Sequence, residues 1–186
     1  MDITLITSNK DKLREAEEIL GIKLKTVDLE LDEIQELDAK KIATHKVQQA
    51  FAAINKPVFV WDQSIYIDCL NGFPGPLIKW FWQQVTLEKI CEIANFYKNP
   101  VISTETLLTY HDGQEIHTFV GKSLGQIPKK PRGEKGWGWD PIFIPEGFTT
   151  TYAEMEPDKV IPLRSHGTAL KDFREFLNNR YFGDSI

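Results

Sequence analysis

The sequence predicts an α/β fold built on a mixed β-sheet that is flanked by helices. The first third of the chain alternates short apolar runs with amphipathic helical segments, which is the pattern of parallel strands joined by helices. Further along, two extended runs flank His111-Asp112-Gly113, and Asp-Gly between such runs is a hairpin signal. The combination indicates both parallel and antiparallel neighbours in one sheet. No repeat or linker interrupts the 186 residues, so one domain spanning 1–186 is expected.

The individual elements follow from apolar periodicity and from the residues that begin and end them. The expected strands are Ile3–Thr7, Leu24–Leu29, Val58–Trp61, Val101–Tyr110, Gln114–Lys122 and Asp140–Pro145. The expected helices are Lys12–Leu20, Ala39–Ile54, Leu77–Val85, Leu87–Tyr97 and Thr168–Asn179. Asp38 is a candidate N-cap of the second helix. Asp62 is expected at the end of its strand.

Composition and charge restrict the function classes. Hydrophobic residues make up 41% of the chain and charged residues 26%, which is enough apolar material for a globular core. The net charge of −5 argues against a nucleic-acid polymer as partner, because such binders usually carry a basic excess. Neither a membrane span nor a signal peptide is indicated, and two cysteines give no disulfide framework. These features predict a cytoplasmic protein.

The first candidate site is the turn "TSNKDK" between the first strand and the first helix. The N–H groups of a helix N-terminus lack intrahelical partners and attract anions. Thr7, Ser8 and Asn9 add polar side chains, and Lys12 adds a positive charge. The alternative is a purely structural turn, and on these residues alone it is the preferred interpretation.

The second candidate site is a pair of acidic residues. Glu33 precedes the second helix, and Asp62 follows a run of buried character. A carboxylate next to a buried strand is costly to desolvate unless something binds it. Mg²⁺ is usually held by one or two carboxylates, with waters and substrate phosphates completing its coordination. For Glu33, a solvated surface acid in an acidic stretch is the preferred interpretation on these residues alone.

The third candidate site is "GWGWDPIF" at Gly136–Phe143. Two tryptophans separated by glycine offer aromatic faces, which can stack on a nucleobase with about 1–3 kcal/mol per base. Asp140 could accept a hydrogen bond from a ring N–H. A tryptophan pair that simply packs in the core is about as consistent with the physics.

These motifs, in this order, resemble the inosine triphosphate pyrophosphatase family. The family's opening T-G-N-x-x-K corresponds to Thr7–Lys12, and Gly72–Phe81 matches its G-x-P-G-P-Y-I-K-W-F almost letter for letter. Gly136–Phe143 resembles its G-F-G-[YW]-D-P-x-F, and Thr151–Met155 matches as well. The resemblance therefore extends over nearly the whole chain.

The resemblance implies two lobes around a long mixed sheet with a nucleotide cleft between them, and usually a homodimer. It implies Mg²⁺-dependent attack of water on the α-phosphorus of ITP, dITP or XTP, which releases the monophosphate and pyrophosphate. The phosphate-binding residues it implies are Thr7, Ser8, Asn9, Lys12, Lys46 and Lys79, with Lys12 and Asp62 as catalytic residues and Glu33 and Asp62 as metal ligands. The base-binding residues it implies are Trp137, Trp139, Asp140, Arg164, Ser165 and His166.

The sequence departs from the family pattern in two places. Trp61 and Gln63 flank Asp62 where the family has a second acid and a hydroxyl residue. Counted without gaps, Arg164-Ser165-His166 occupies the places of the family's Ser-His-Arg. Aligned by letter, Ser165-His166-Gly167 occupies them instead, and the arginine is absent. Two further interpretations therefore stay open: hydrolysis of a different modified nucleotide, or nucleotide binding without catalysis. The retained acids and lysines favour an active enzyme.

Overall fold

The computed structural model describes residues 2–182 and confirms the predicted α/β class. The strands in this range are β1 (Thr4–Ile6), β2 (Lys25–Val27), β3 (Val58–Ile67), β4 (Pro74–Gly75), β5 (Val101–His111), β6 (Ile116–Gln126) and β7 (Ile144–Pro145). The helices are α1 (Lys10–Leu20), α2 (Ala39–Ile54), α3 (Ile78–Gln84), α4 (Leu87–Phe96), α5 (Pro157–Val160) and α6 (Ser165–Phe182). Short 3₁₀ turns supply most of the remaining regular structure.

The strands form one mixed sheet in the order β2-β1-β3-β5-β6-β7, with β4 paired to β3. β1 runs parallel to both β2 and β3, whereas β4 and β7 run antiparallel to their partners. β5 and β6 are neighbours joined by the short turn that the sequence predicts.

The chain divides into two compact units, and neither is a continuous segment. Unit 1 comprises residues 2–62, 106–121 and 166–182, and unit 2 comprises residues 63–105 and 122–165. The chain passes from one unit to the other within β3, β5 and β6 and just after α6 begins.

Each unit has its own apolar core. In unit 1, Val47 and Ala50 of α2 pack with Val58 and Val60 of β3. The core of unit 2 is formed by Ile65, Ile67, Ile78, Ile90, Cys91, Ala94, Ile102, Ile127, Ile142, Phe143, Tyr152, Met155 and Val160. Burying such side chains stabilises the fold by about 1.5–3 kcal/mol each.

Helix α2 begins and ends where the sequence predicts, and its cap explains why. The Asp38 carboxylate accepts hydrogen bonds from the N–H groups of Lys40 at 2.9 Å and Lys41 at 3.4 Å. An N-cap of this kind contributes about 1 kcal/mol. Asn55 ends the helix in the left-handed conformation, with φ of 52°.

The prediction that Asp62 ends its strand is wrong. β3 continues to Ile67 and pairs with β4, with Ile65 opposite Gly75 and Tyr66 opposite Pro74. Ile65 and Ile67 are buried in the core of unit 2, so apolar burial resumes after the polar residues. Asp62 therefore lies in mid-strand, where the extended backbone fixes the direction of its side chain.

The predicted strand Asp140–Pro145 is also wrong over its first half. Asp140–Ile142 is a 3₁₀ turn, and only Ile144–Pro145 is extended. Proline in position 141 suits a helical turn, since its fixed φ is compatible with the first residues of a helix. The Asp140 side chain also turns back to accept the N–H of Trp137 at 2.7 Å.

Two global features concern membranes and thiols. Within residues 2–182, no helix combines the length and the apolar character needed to span a membrane. Cys69 and Cys91 are free thiols, and Cys91 is buried.

Candidate active site

The structure places the predicted site residues in two groups, one in each unit. Unit 1 contains Thr7, Ser8, Asn9, Lys12, Glu33, Lys46, Asp62 and His166. Unit 2 contains Lys79, Trp137, Trp139, Asp140, Arg164 and Ser165. Each group contains charged side chains that contact one another.

The turn between β1 and α1 is organised by Asn9. Its Oδ1 caps the helix by accepting the N–H groups of Asp11 at 2.8 Å and Lys12 at 3.3 Å, and its own N–H donates to Thr7 Oγ1 at 3.0 Å. The expectation of unsatisfied N–H groups at this helix start is therefore wrong for these two donors. The candidates for contact with an anion in this turn are therefore its polar side chains and Lys12.

Lys46 joins the two predicted metal-binding carboxylates. Its Nζ lies 2.6 Å from Asp62 Oδ1 and 3.1 Å from Glu33 Oε1. Helix α2 supplies Lys46, β3 supplies Asp62, and the segment before α2 supplies Glu33. The Lys46 side chain is 14% exposed, whereas that of Glu33 is 42% exposed. Residues separated in sequence thus form one compact ionic group.

The ionisation of Lys46 reflects this environment. Burial alone would lower its pKa, but the attraction and hydrogen bond of Asp62, together with those of Glu33, outweigh burial and raise the pKa above its ordinary value. Lys46 is therefore a permanent positive charge at neutral pH.

Lys12 is bound differently. Its Nζ donates to the backbone oxygen of Trp61 at 2.7 Å and lies 5.4 Å from the centre of the Trp61 ring. Burial is the main effect on this ammonium group and lowers the pKa of Lys12 from its usual value. A lysine held in this way has low hydration and unused N–H donors, both of which favour phosphate binding.

The donor atoms around Asp62 fit a magnesium ion. Asp62 Oδ2 is buried and has no hydrogen-bond partner among the described residues, although its companion oxygen binds Lys46. Residues 2–182 hold no group of three or more His, Cys, Asp or Glu side chains arranged around a common point. One or two carboxylates with an available oxygen are what Mg²⁺ uses when phosphates and water complete its shell.

Trp61 turns into the core of unit 1. It is 3% exposed, and its ring packs on the His166 imidazole with centres 4.5 Å apart. His166 is fully buried, and its Nε2 lies 2.6 Å from Glu15 Oε2. Glu15 was not predicted as a site residue, although its position one turn before the apolar Ile19 in α1 was a usable signal.

In unit 2, Asp140 binds Arg164 and Trp137 together. The Arg164 guanidinium lies 2.5 Å from Asp140 Oδ2, which also accepts the N–H of Trp137. Arg164 lies 5.2 Å from the centre of the Trp137 ring and 5.6 Å from that of Tyr152. Burial raises the pKa of Tyr152 to about 12, so this ring stays neutral beside the arginine. Tyr152 is a further residue that the sequence interpretation did not assign to the site.

The remaining predicted residues of unit 2 lie around this cluster or on α3. Trp139 packs against Trp137, with centres 5.7 Å apart, and against Trp82 at 6.2 Å. Ser165 Oγ accepts a hydrogen bond from Thr104 Oγ1 at 3.3 Å. Lys79 is exposed on α3, with its Nζ 5.5 Å from the centre of the Trp80 ring.

Comparison with known sequences identifies the family. A profile of the Ham1 family matches residues 3–176. The chain belongs to the Ham1 family. A Candida glabrata member named inosine triphosphate pyrophosphatase is 40% identical over 187 residues, covering 95% of this chain and 97% of that protein. A Methanopyrus kandleri member named dITP/XTP pyrophosphatase is 33% identical, covering 98% of this chain and all of that protein. The resemblance inferred from the motifs is confirmed.

Solved structures of Ham1 proteins share the fold. The Ham1 protein from Coxiella burnetii superposes with a TM-score of 0.86, covering 96% of this chain and 99% of that chain, at 22% identity. The Ham1 protein from Staphylococcus aureus gives a TM-score of 0.82 at 21% identity and covers 96% of this chain and 100% of that chain. These likenesses support the mixed sheet described above.

Proposed function

We propose that this protein is a Mg²⁺-dependent nucleoside triphosphate pyrophosphatase that converts ITP, dITP or XTP to the monophosphate and pyrophosphate. The observation that carries the proposal is the Lys46 ammonium bound to both Glu33 and Asp62. Carboxylates attract a divalent cation and lysines attract phosphates, so this grouping suits a metal–triphosphate complex. The names of the Ham1 relatives support the same reaction class.

In the proposed reaction, a water molecule attacks the α-phosphorus, and the bond from that atom to the α–β bridging oxygen breaks. Asp62 takes the proton from the water with one carboxylate oxygen, and its other oxygen would hold the metal. Pyrophosphate leaves with the bonding electrons, and Lys12 and Lys46 stabilise its charge. When bound, Mg²⁺ would supply Lewis-acid polarisation of the phosphates, and Glu33 and Asp62 would be its protein ligands.

The aromatic cluster of unit 2 supports a keto purine as the base. The Nε of Arg164 and the Nε1 of Trp137 are buried donors without a hydrogen-bond partner among the described residues. A buried donor costs about 1–3 kcal/mol until an acceptor binds it, and a 6-keto purine presents acceptors at O6 and N7. Stacking on Trp137 and hydrogen bonds from Arg164 would therefore favour inosine and xanthosine bases over adenine.

The direct test is pyrophosphate release in the presence of Mg²⁺ from ITP, dITP, XTP and the four standard ribonucleotides. We expect rapid release from the first three substrates. Asp62→Asn should lower kcat by about 10²–10⁴-fold, because the proton acceptor is lost while the side-chain volume is kept. Asp172→Asn, at an exposed position on α6, is the matched control and should leave kcat unchanged.

Other outcomes would select between the alternatives. Full activity in Asp62→Asn would contradict the role given to this carboxylate. Release from a different modified nucleotide would move the assignment to another base. Absence of release combined with thermal stabilisation by nucleotides would indicate binding without catalysis.

The homodimer that the family resemblance implies and the cytoplasmic location that the sequence features predict both remain predictions. Light scattering on the purified protein should give about twice the chain mass of 21.4 kDa. A mass equal to one chain would contradict the predicted assembly.

A further inference from the structure

Four side chains of unit 1 form a cluster, called here the Trp61 cluster: the half-buried Lys12 and the buried Glu15, Trp61 and His166. Glu15 and Trp61 are each 3% exposed, and His166 is fully buried. Helix α1 supplies Lys12 and Glu15, β3 supplies Trp61, and α6 supplies His166. The cluster therefore links three elements of unit 1 beside the ionic group of Lys46.

Within the cluster, Lys12 contacts neutral groups. Its Nζ donates to the Trp61 carbonyl and faces the Trp61 ring, and no carboxylate of the described residues forms an ion pair with it. One of the three ammonium hydrogens is used in this way, which leaves two for a ligand.

Trp61 also contacts a second residue of the cluster, His166. Its ring packs on His166, whose Nε2 lies 2.6 Å from Glu15 Oε2. Glu15 lies one helical turn after Lys12 in α1. The series of contacts that runs from Lys12 through Trp61 and His166 to Glu15 therefore begins and ends on the same helix. Successive side chains of a strand point to opposite faces, so anchoring Trp61 also orients Asp62 towards Lys46.

We infer that Trp61 and His166 are positioning residues that hold Lys12 for the triphosphate, and that His166 does not bind the base. The inference rests on the proposed function, because it takes a phosphate to be the ligand of Lys12. Trp61, which stands where the family has an acid, thereby has a role in positioning Lys12. His166 has the same role, whereas the family resemblance implied that it binds the base. The complete burial of His166 and its contact with Glu15 support the second part.

The decisive experiment is a double-mutant cycle on pyrophosphate affinity, measured by calorimetry with inorganic pyrophosphate and Mg²⁺. Trp61→Leu in the wild-type background should weaken pyrophosphate binding by about five- to tenfold, as expected for loss of a partly desolvated cation–π contact. In a Lys12→Met background the same substitution should have almost no further effect, because the group it positions is gone. Equal weakening in both backgrounds would overturn the inference.

Two controls separate positioning from general damage. Phe59→Leu removes a fully buried aromatic ring from the same face of the same strand, and it should lower thermal stability without changing pyrophosphate affinity. If Trp61→Leu does not fold, Trp61→Phe replaces it in the cycle. Trp61→Phe should weaken pyrophosphate binding by a smaller factor, and this weakening must again disappear in the Lys12→Met background.

The role of His166 has its own test. His166→Ala should weaken pyrophosphate binding while leaving the ratio of kcat/KM for ITP over GTP within about twofold, and His166→Gln should restore much of the affinity, since its amide can donate to Glu15. A changed ITP/GTP ratio with unchanged pyrophosphate binding would show base recognition instead. Because pyrophosphate binding needs no turnover, failure of the hydrolysis assay would refute the proposed function without deciding this inference.

Discussion

Gly136 has no side chain, and the space that a side chain would need is occupied by Asp140. A Cβ built on Gly136 would lie 2.0 Å from Asp140 Oδ2, the oxygen that binds both Arg164 and the Trp137 backbone. The residue also has φ of +77°, which disfavours any side chain. The glycine therefore permits the close approach of the carboxylate that organises the aromatic cluster of unit 2.

Gly138 provides a matched control for a substitution at Gly136. It has φ of +63°, but a Cβ there would meet nothing within 4 Å. Gly138→Ala should cost about 1–2 kcal/mol from backbone conformation alone. Gly136→Ala should cost about 3 kcal/mol more, because Asp140 must move away from a buried cation. Urea denaturation measures both, and equal losses would show that the Asp140 contact is unimportant.

At the scale of elements, Asp112 ties the turn between β5 and β6 to α6. Its carboxylate accepts the N–H groups of Gln114 and Glu115, each at 2.7 Å, and contacts His117 Nε2 at 3.2 Å and Arg180 at 2.5 Å. Burial alone would raise the pKa of Asp112, but these hydrogen bonds and the Arg180 charge outweigh it and lower the pKa to about 2. The hairpin and the last helix are thus joined through one carboxylate.

Asp112→Asn should destabilise the protein by about 1–3 kcal/mol at pH 7, because charge-assisted hydrogen bonds are lost. The folded-state pKa of about 2 lies below the ordinary value of 3.8, so the stabilisation is present above the ordinary pKa and is lost as the pH falls from 4 towards 2. Thermal melts of both proteins should therefore converge in that range. A difference that stays constant from pH 7 to pH 2 would contradict this account.

The sequence predicted the elements well where local signals decide them, as in α2 with its Asp38 cap. It failed for β3, because Asp62-Gln63-Ser64 reads as a loop although Ile65 and Ile67 continue the strand into a second core. That continuation depends on pairing with β4, and such pairing between separate segments is not visible in local periodicity.

At the scale of the whole molecule, the two cysteine thiols, Cys69 and Cys91, differ in how deeply they are buried. Cys91 is 1% exposed in the core of unit 2, and burial raises its pKa to about 11. Cys69 is half-buried, and burial raises its pKa as well.

We expect a thiol reagent at pH 8 to modify Cys69 in the native protein while Cys91 reacts only when the protein unfolds, because the thiolate is the reactive form. Mass spectrometry of the labelled peptides distinguishes the two, with Cys69→Ser as the control. Equal labelling rates in the absence of denaturant would show that the core around Cys91 opens readily.

The residues of the candidate active site could be predicted from the sequence only in part. Lys46, Glu33 and Asp62 were named from motifs, but their direct contact follows from the packing of α2 on β3. Glu15 was missed because a helical acid ordinarily faces solvent. Whether Trp61 faces solvent or core could not be decided from sequence, since both environments accept tryptophan.

Because each unit is divided among separate chain segments, the units cannot easily be exchanged between genes during evolution. Unit 1 is assembled from three stretches of the described chain and unit 2 from two, with most of the boundaries falling inside strands. No single stretch of the gene encodes either unit, so genetic recombination cannot exchange one of them through a single insertion.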